Sequence, residues 1–355
     1  MVVPFSFEDM CTSWDGVGVA ELKAAEAVFS NRRHASTSAR HPDVAHARRF
    51  RFGVEMQGPF DGRSWADSAR ELESLGYSTL FVPDHFHEGY GPITAMATAA
   101  AATTTLRVGS LVFDCDFRHP AVLSRELASI DLLSEGRLEV GLGAGWKRLD
   151  YDRSGIPMDA PRVRVDRMIE HTTLLKALFA DGIVNFSGRH YRIADLEGTP
   201  KPFTPAGPPI IIAGGGPRML RFAGATADIV GVNPSIHSGV ADQASARDAL
   251  PVSIDEKFRW VREGAGERFD DLEFNAWVSV AEHTDQGMAT ASRMSARFGA
   301  APADVLASPV VLVGSAAEII DRLHERRARW GYSYITLQGP IARQFAPIVT
   351  RLTGT

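Results

Sequence analysis

The chain has 355 residues, 45% hydrophobic and 23% charged, with a net charge of −5: ordinary globular usage, and enough for one large barrel or two smaller domains. The slightly acidic balance offers no general basic field to nucleic acid or an anionic membrane, and no apolar run reaches the roughly 18 residues of a membrane span. The start lacks the apolar segment of a secretory signal, so a cytoplasmic location is the expectation, and Cys11 and Cys115 have neither a disulfide framework nor metal-ligand spacing.

Residues 1–49 carry no sustained pattern. His34, His41 and His46 and five arginines are scattered around one helix-like patch from Val19 to Phe29, and the acidic residues Glu8, Asp9, Asp15, Glu21 and Glu26 argue against a transit peptide. This stretch is expected to be a poorly ordered extension, leaving residues 50–355 as a single catalytic domain.

From Arg51 onward strands and helices alternate. Phe52–Gln57 reads as a first strand, Ser64–Leu75 as a helix stopped by Gly76, and Thr79–Val82 as a second strand ending in Pro83-Asp84-His85. A helix from Pro92 to Thr103 leads to a third strand, Arg107–Phe113. Pro120 then opens a helix with apolar residues at Val122, Leu123, Leu127, Ile130 and Leu133; Ser134-Glu135-Gly136 ends it, and a fourth strand runs from Arg137 to Gly143. A long helix over Arg164–Phe179 and a small hairpin over Val184–Ile193 follow. Pro208–Ala213, Asp228–Val232, Glu273–Ala281 and Tyr334–Gln338 are the fifth to eighth strands. Eight apolar strands separated by helices predict a parallel (β/α)8 TIM barrel, covered on both faces of its sheet. Two intervals, Asn233–Asp271 and His283–Gly314, exceed what a simple barrel requires and are expected as insertions on the C-terminal, catalytic face.

Candidate chemistry gathers at strand C-termini, where a barrel of this type places it. Asp84-His85 follows the second strand, and a histidine with an adjacent carboxylate suits proton transfer. Glu55 and Gln57 end the first strand, while Asp114 and Asp116 follow the third. Gly214-Gly215-Gly216-Pro217-Arg218 links the fifth strand to a helix, a context in which backbone N–H groups can approach a phosphate and Arg218 could add a charge. There is no dinucleotide fingerprint, no Walker lysine and no convincing metal constellation, His85-Phe86-His87 standing alone.

These residues match a family pattern. Pro83-Asp84-His85-Phe86, Phe117-Arg118-His119-Pro120, Leu132 to Arg137, Gly141-Leu142-Gly143-Ala144-Gly145-Trp146, Ala213 to Leu220 and Ala227 to Val230 occur in order over about 300 residues. In them the chain resembles the luciferase-like flavin and deazaflavin oxidoreductases, and within these a branch that uses coenzyme F420. The resemblance implies a TIM barrel, usually a homodimer, with an isoalloxazine-like ring at the C-terminal mouth and a non-prolyl cis peptide at Leu111-Val112. It implies that Asp84 contacts the ring, His85 handles the proton, Asp114 and the Gly143-Ala144-Gly145 loop line the cofactor, and Gly214, Gly215 and Gly216, with Pro217 and Arg218, hold its phosphate.

One departure matters: relatives that oxidise a sugar phosphate carry a glutamate where this chain has Trp146, which with Glu55 would wall the substrate pocket. Coenzyme F420 also has an oligoglutamate tail, for which Lys147, Arg148, Arg153, Arg162, Arg164 and Arg167 are candidates; solvated charges balanced by Asp150, Asp152 and Asp166 are the alternative. With a deazaflavin the reaction would be hydride transfer to or from an activated C=C, C=N or carbinol of a small-molecule substrate. With FMN the same pocket would oxygenate its substrate, and a third reading is a flavin-binding barrel without turnover.

Overall fold

A computed structural model describes residues 48–86, 89–205, 207–236 and 238–355. The expected N-terminal extension therefore lies almost wholly outside the described residues. Within them, Arg48 already reaches the barrel, donating to the Asp271 carbonyl, and Phe50 is buried with its N–H on the Thr355 carbonyl at 3.1 Å.

Eight parallel strands close the barrel in chain order: β1 (Arg51–Glu55), β2 (Thr79–Val82), β3 (Arg107–Asp114), β4 (Leu138–Gly143), β7 (Ile210–Gly214), β8 (Ile229–Val232), β9 (Glu273–Trp277) and β12 (Tyr332–Gln338), which pairs back to β1. The predicted TIM barrel is thus the observed fold. β5 (Ile183–Ser187) and β6 (Arg192–Glu197) form the expected hairpin outside the barrel. The strands lack strict polar alternation because helices cover their outer face while side chains fill the lumen. Phe81, Leu111, Ile211, Ile229 and Tyr334, from five different strands, meet there as one cluster.

The helices follow from local signals. α1 (Trp65–Ser74) is capped by the Ser64 hydroxyl, which accepts from Asp67 N at 3.0 Å. α2 (Pro92–Ala102) and α3 (Pro120–Leu133) begin with proline, where no helical N–H is needed. Gly136, with φ +82°, turns the chain from α3 into β4.

Two expectations are corrected. Asn233–Asp271 is not wholly an insertion on the catalytic face, because Pro251–Ala265 forms a regular barrel helix. With α4 (Arg148–Ser154), α5 (Pro161–Phe179), α6 (Pro217–Thr226) and α7 (Gln243–Arg247) preceding it, this helix is α8, and it packs closely on α6. A Cβ at Gly224 would lie 2.3 Å from the Val261 carbonyl oxygen, and one at Gly264 would lie 2.0 Å from that of Arg221, so glycines set this close crossing. The seventh strand is also not continuous. It ends at Trp277, and Val280–His283 leaves the barrel as β10 to pair in parallel with β11 (Val311–Gly314). These two strands, with α7, α9 (Gly287–Phe298) and α10 (Pro302–Ala307), surround a second small core that includes Phe298, Val305 and Val311. The chain then returns through α11 (Ala316–Trp330), whose Ser315 and Glu318 form a capping box, to β12 and the final α12 (Ala342–Leu352). No helix among the described residues is long and apolar enough to cross a membrane.

Candidate active site

The C-terminal ends of β2, β3 and β4 bring three sequence-distant motifs together. Asp84 is buried, and its Oδ2 accepts from the Asp114 N–H at 3.2 Å and from Arg118 Nη1 at 2.5 Å. Asp114 Oδ1 accepts from Asp116 N at 2.9 Å, and its Oδ2 accepts from the Tyr151 hydroxyl at 2.8 Å. That hydroxyl also lies 2.9 Å from Asp116 Oδ2, so one proton serves two carboxylates. Burial, reinforced by the charges of Asp116 and Asp84 and opposed by the hydrogen bonds, pushes the Asp114 carboxyl up to about 7.

His85 is held by a residue 65 positions away: its Nδ1 lies 2.6 Å from Asp150 Oδ2, and Asp150 Oδ1 accepts from Phe86 N at 3.1 Å. With the carboxylate as acceptor, Nδ1 carries a hydrogen and the ring's acid–base chemistry falls to Nε2. The Trp146 ring stands edge-on to the imidazole with centroids 5.9 Å apart. α4 supplies both Asp150 and Tyr151, so one short helix steers the histidine and the aspartate pair.

The expected non-prolyl cis peptide is present at Leu111-Val112, and the β3–β4 ladder changes register between Ser110 and Phe113. The Val112 side chain lies over Gly141 and Gly143, where added Cβ atoms would come within 3.0 and 2.6 Å of it. Ala144 and Gly145 are fixed from behind by buried Arg164, whose Nη1 donates to both carbonyls, that of Ala144 at 2.9 Å. Gly145 has φ +70°, and a Cβ there would meet the Tyr151 hydroxyl at 1.9 Å and Asp114 Oδ2 at 2.3 Å, so the loop requires glycine.

After β7, Gly214-Gly215-Gly216 leads into α6, whose N-cap Gly216 has no capping side chain and has open space at the Cβ position. Gly215 is pressed against Asn233 to Ser235. Lys257, buried on α8, donates to the Gly215 carbonyl and to Asp248 Oδ2, both at 2.7 Å, and the same Asp248 oxygen accepts from Ser235 N at 2.7 Å. Arg218, expected beside the phosphate, forms an ion pair with Asp166 of α5. Two of the candidate tail arginines are likewise engaged, Arg164 with the loop carbonyls and Arg167 with Asp116 and Asp159.

Glu55, at the end of β1, is buried at 9% exposure, and burial, partly offset by the Trp277 indole N–H at 3.2 Å, pushes its carboxyl up to about 8. His87 lies outside the described residues. Sequence reasoning did not assign Asp150, Tyr151 or Lys257 to the site. The first two sit in a short helix with no periodic signal, and the lysine lies in what read as an insertion.

The profile of the luciferase-like monooxygenase family matches residues 43–251, more than half of the chain. The chain is 24% identical over 310 residues to the F420-dependent glucose-6-phosphate dehydrogenase of Intrasporangium calvum, covering 81% of this chain and 91% of that protein. It is 30% identical over 168 residues to the F420-dependent hydroxymycolic acid dehydrogenase of Mycobacterium tuberculosis, covering 45% of this chain and 46% of that one. Among solved structures, the coenzyme F420 dependent tetrahydromethanopterin reductase of Methanopyrus kandleri superposes with a TM-score of 0.66 at 17% identity, over 86% of this chain and 99% of that one, a likeness of fold. Barrel topology, mouth residues and profile agree: the chain belongs to the luciferase-like monooxygenase family.

Proposed function

We propose that this chain is a coenzyme F420-dependent oxidoreductase acting on a small, uncharged organic substrate, with His85 as the proton-handling residue. The observation that carries the reading is the convergence of Asp84, His85, Leu111-Val112, Asp114 and the Gly143-Ala144-Gly145 loop on one side of the barrel mouth. Two relatives named for F420-dependent dehydrogenation, one of them matched over nearly its whole length, support it.

The residues present fit such a cofactor. Glycines keep the mouth clear beside Val112, and the uncapped start of α6 offers backbone N–H groups to a phosphate, with room where a side chain would stand. Asp84, Leu111, Val112, Asp114 and Ala144 would line the ring, while Gly214, Gly215, Gly216 and Pro217 would hold the phosphate. When bound, the deazaflavin supplies a carbon centre that gives or takes a hydride, without the oxygen reactivity of FMN.

The chain's own residues do the rest. Asp150 fixes the His85 tautomer and ring orientation, so Nε2 exchanges the proton that accompanies reduction or oxidation. Arg118 keeps Asp84 in place, and Arg164 locks the glycine loop. Trp146 replaces the glutamate of the sugar-phosphate enzymes and sets an apolar wall beside His85, which argues against glucose 6-phosphate as substrate. A homodimer goes with this reading, supported by exposed Leu132 and Leu133 at the end of α3 and by exposed Phe203.

The test is His85→Ala. F420 affinity, read from cofactor fluorescence, should stay within about threefold while turnover falls by roughly 10²-fold or more. Unchanged turnover removes His85 from the proton-transfer role.

A further inference from the structure

The barrel order divides the mouth into two arcs. β2, β3 and β4 carry the residues proposed to line the cofactor, whereas β9, β12 and β1 lie side by side, β1 adjoining β2, and carry polar groups that this assignment leaves unused. Glu55 of β1 is in register with Phe81 of β2 and with Gln338 of β12. Residues in register on neighbouring strands point to the same face, and Phe81 belongs to the lumen cluster, so Glu55 and Gln338 both face the lumen at its open end. Trp277 packs against the same cluster from β9.

These groups are incompletely satisfied. Gln338 Nε2 is buried and has no hydrogen-bond partner among the described residues. Glu55 makes one hydrogen bond among them, from the Trp277 indole to Oε2, while its Oε1 accepts none and stays accessible. Buried polar groups in folded proteins are nearly always paired, and a buried orphan N–H beside an accessible carboxyl oxygen in a cleft marks where a ligand completes the pairing. Burial also favours the neutral form of the Glu55 carboxyl, which then presents an O–H donor near the Gln338 N–H.

We propose that the β9–β12–β1 arc is the substrate-recognition site and that it takes an uncharged carbonyl compound, whose oxygen accepts from Gln338 Nε2 and from the Glu55 carboxyl while Trp277 packs on its apolar body. Two donors side by side suit the two lone pairs of one carbonyl oxygen. An anionic group is poorly served, because the guanidiniums of Arg118, Arg164 and Arg167 are already tied to Asp84, to loop carbonyls and to Asp116 and Asp159. The assignment rests on the reading that the deazaflavin occupies the β2–β3–β4 arc.

The test uses the full chain, with and without F420, and ligand-observed NMR titration with cyclohex-2-en-1-one; glucose 6-phosphate is the anionic comparator. The enone should bind, and Gln338→Leu and Glu55→Leu should each weaken it tenfold or more. Glu55→Gln, which keeps an N–H donor, should stay within threefold of wild type. Enone binding by wild type should weaken as pH rises through about 8, whereas binding by Glu55→Gln should not change. Enone affinity unchanged within twofold in both leucine variants, or tighter binding of glucose 6-phosphate than of the enone, overturns the proposal. Should Glu55→Leu not fold, Gln338→Leu and the pH comparison decide. F420 titration of the same proteins separates the two readings. If F420 does not bind but the enone pattern holds, the recognition arc stands and the cofactor reading falls; if F420 binds and the pattern fails, the arc alone is wrong.

Discussion

The two ends of this barrel are built from the same strands and treat charge in opposite ways. At the base, Glu139 of β4 accepts from Arg51 Nη1 at 2.5 Å, from Arg107 Nε at 2.8 Å and from the Tyr334 hydroxyl at 2.9 Å, while Arg51 also pairs with Glu273. The neighbouring arginines hold the Glu139 carboxyl below its ordinary range despite burial. At the mouth, a few residues further along the same strands, Glu55 faces an indole, Asp114 faces two other carboxylates, and Gln338 Nε2 and Asn233 Oδ1 have no partner among the described residues. At the base the lumen carboxylate Glu139 is fully paired, and at the mouth the lumen-facing Gln338 Nε2 is not. This is the division of labour expected of a βα-barrel, stability below and chemistry above.

Breaking the base should cost most. Glu139→Ala leaves the half-buried guanidiniums of Arg51 and Arg107 without their shared partner, an expected loss of about 2–3 kcal/mol in urea unfolding, because both keep some solvent and Arg51 keeps Glu273. A loss under about 1 kcal/mol would mean the network contributes little. At the mouth, by contrast, a glycine pair should separate ligand binding from stability. Gly215→Ala places a Cβ 2.5 Å from Ser235 N and should weaken F420 binding about tenfold or more, equivalent to roughly 1.4 kcal/mol. Gly216→Ala meets no protein atom, so the turn should hold and the methyl only narrows the room left for the phosphate, weakening binding by about threefold. Equal effects of the two substitutions would contradict the placement of the turn.

The smallest effect is in pH dependence. Asp114 and Glu55 have folded-state pKa values of about 7 and about 8, raised mainly by burial. Unfolded carboxyls titrate near 4, so the native state holds the extra protons in between. Stability from these groups is complete below about pH 4 and is lost as pH rises through about 7 and 8. Asp114→Asn and Glu55→Gln should therefore flatten the decline in unfolding free energy from pH 5 to pH 9, each by on the order of 1 kcal/mol. A decline as steep as that of wild type would mean that these carboxyls do not titrate in this range.

The barrel was legible because its strands are apolar runs spaced by helices with proline starts and glycine stops. The grouping of Asp84-His85 with the glycine loop at the mouth was legible because these residues sit directly at strand ends, where sequence position fixes spatial position. Asp150 was not, since its partnership with His85 depends on how α4 folds back over the mouth. Nor was the split between β9 and β10, because Glu273–Ala281 keeps one apolar pattern while changing sheets. The amphipathic signal of α8 was present in Ile254, Phe258, Val261 and Ala265, but the length of the surrounding interval obscured it. Gln338 read as the tail of a strand, and only barrel closure against β1 sets it beside Glu55.

The central claim, that this mouth is built for a deazaflavin, is tested most directly by equilibrium titration of the purified full chain with oxidised F420 and, separately, with FMN, at fixed ionic strength. The expected result is micromolar or tighter F420 binding with FMN binding at least about tenfold weaker, a gap of roughly 1.4 kcal/mol. Tighter binding of FMN than of F420 would contradict the claim and make oxygen consumption with a flavin reductase the assay to build.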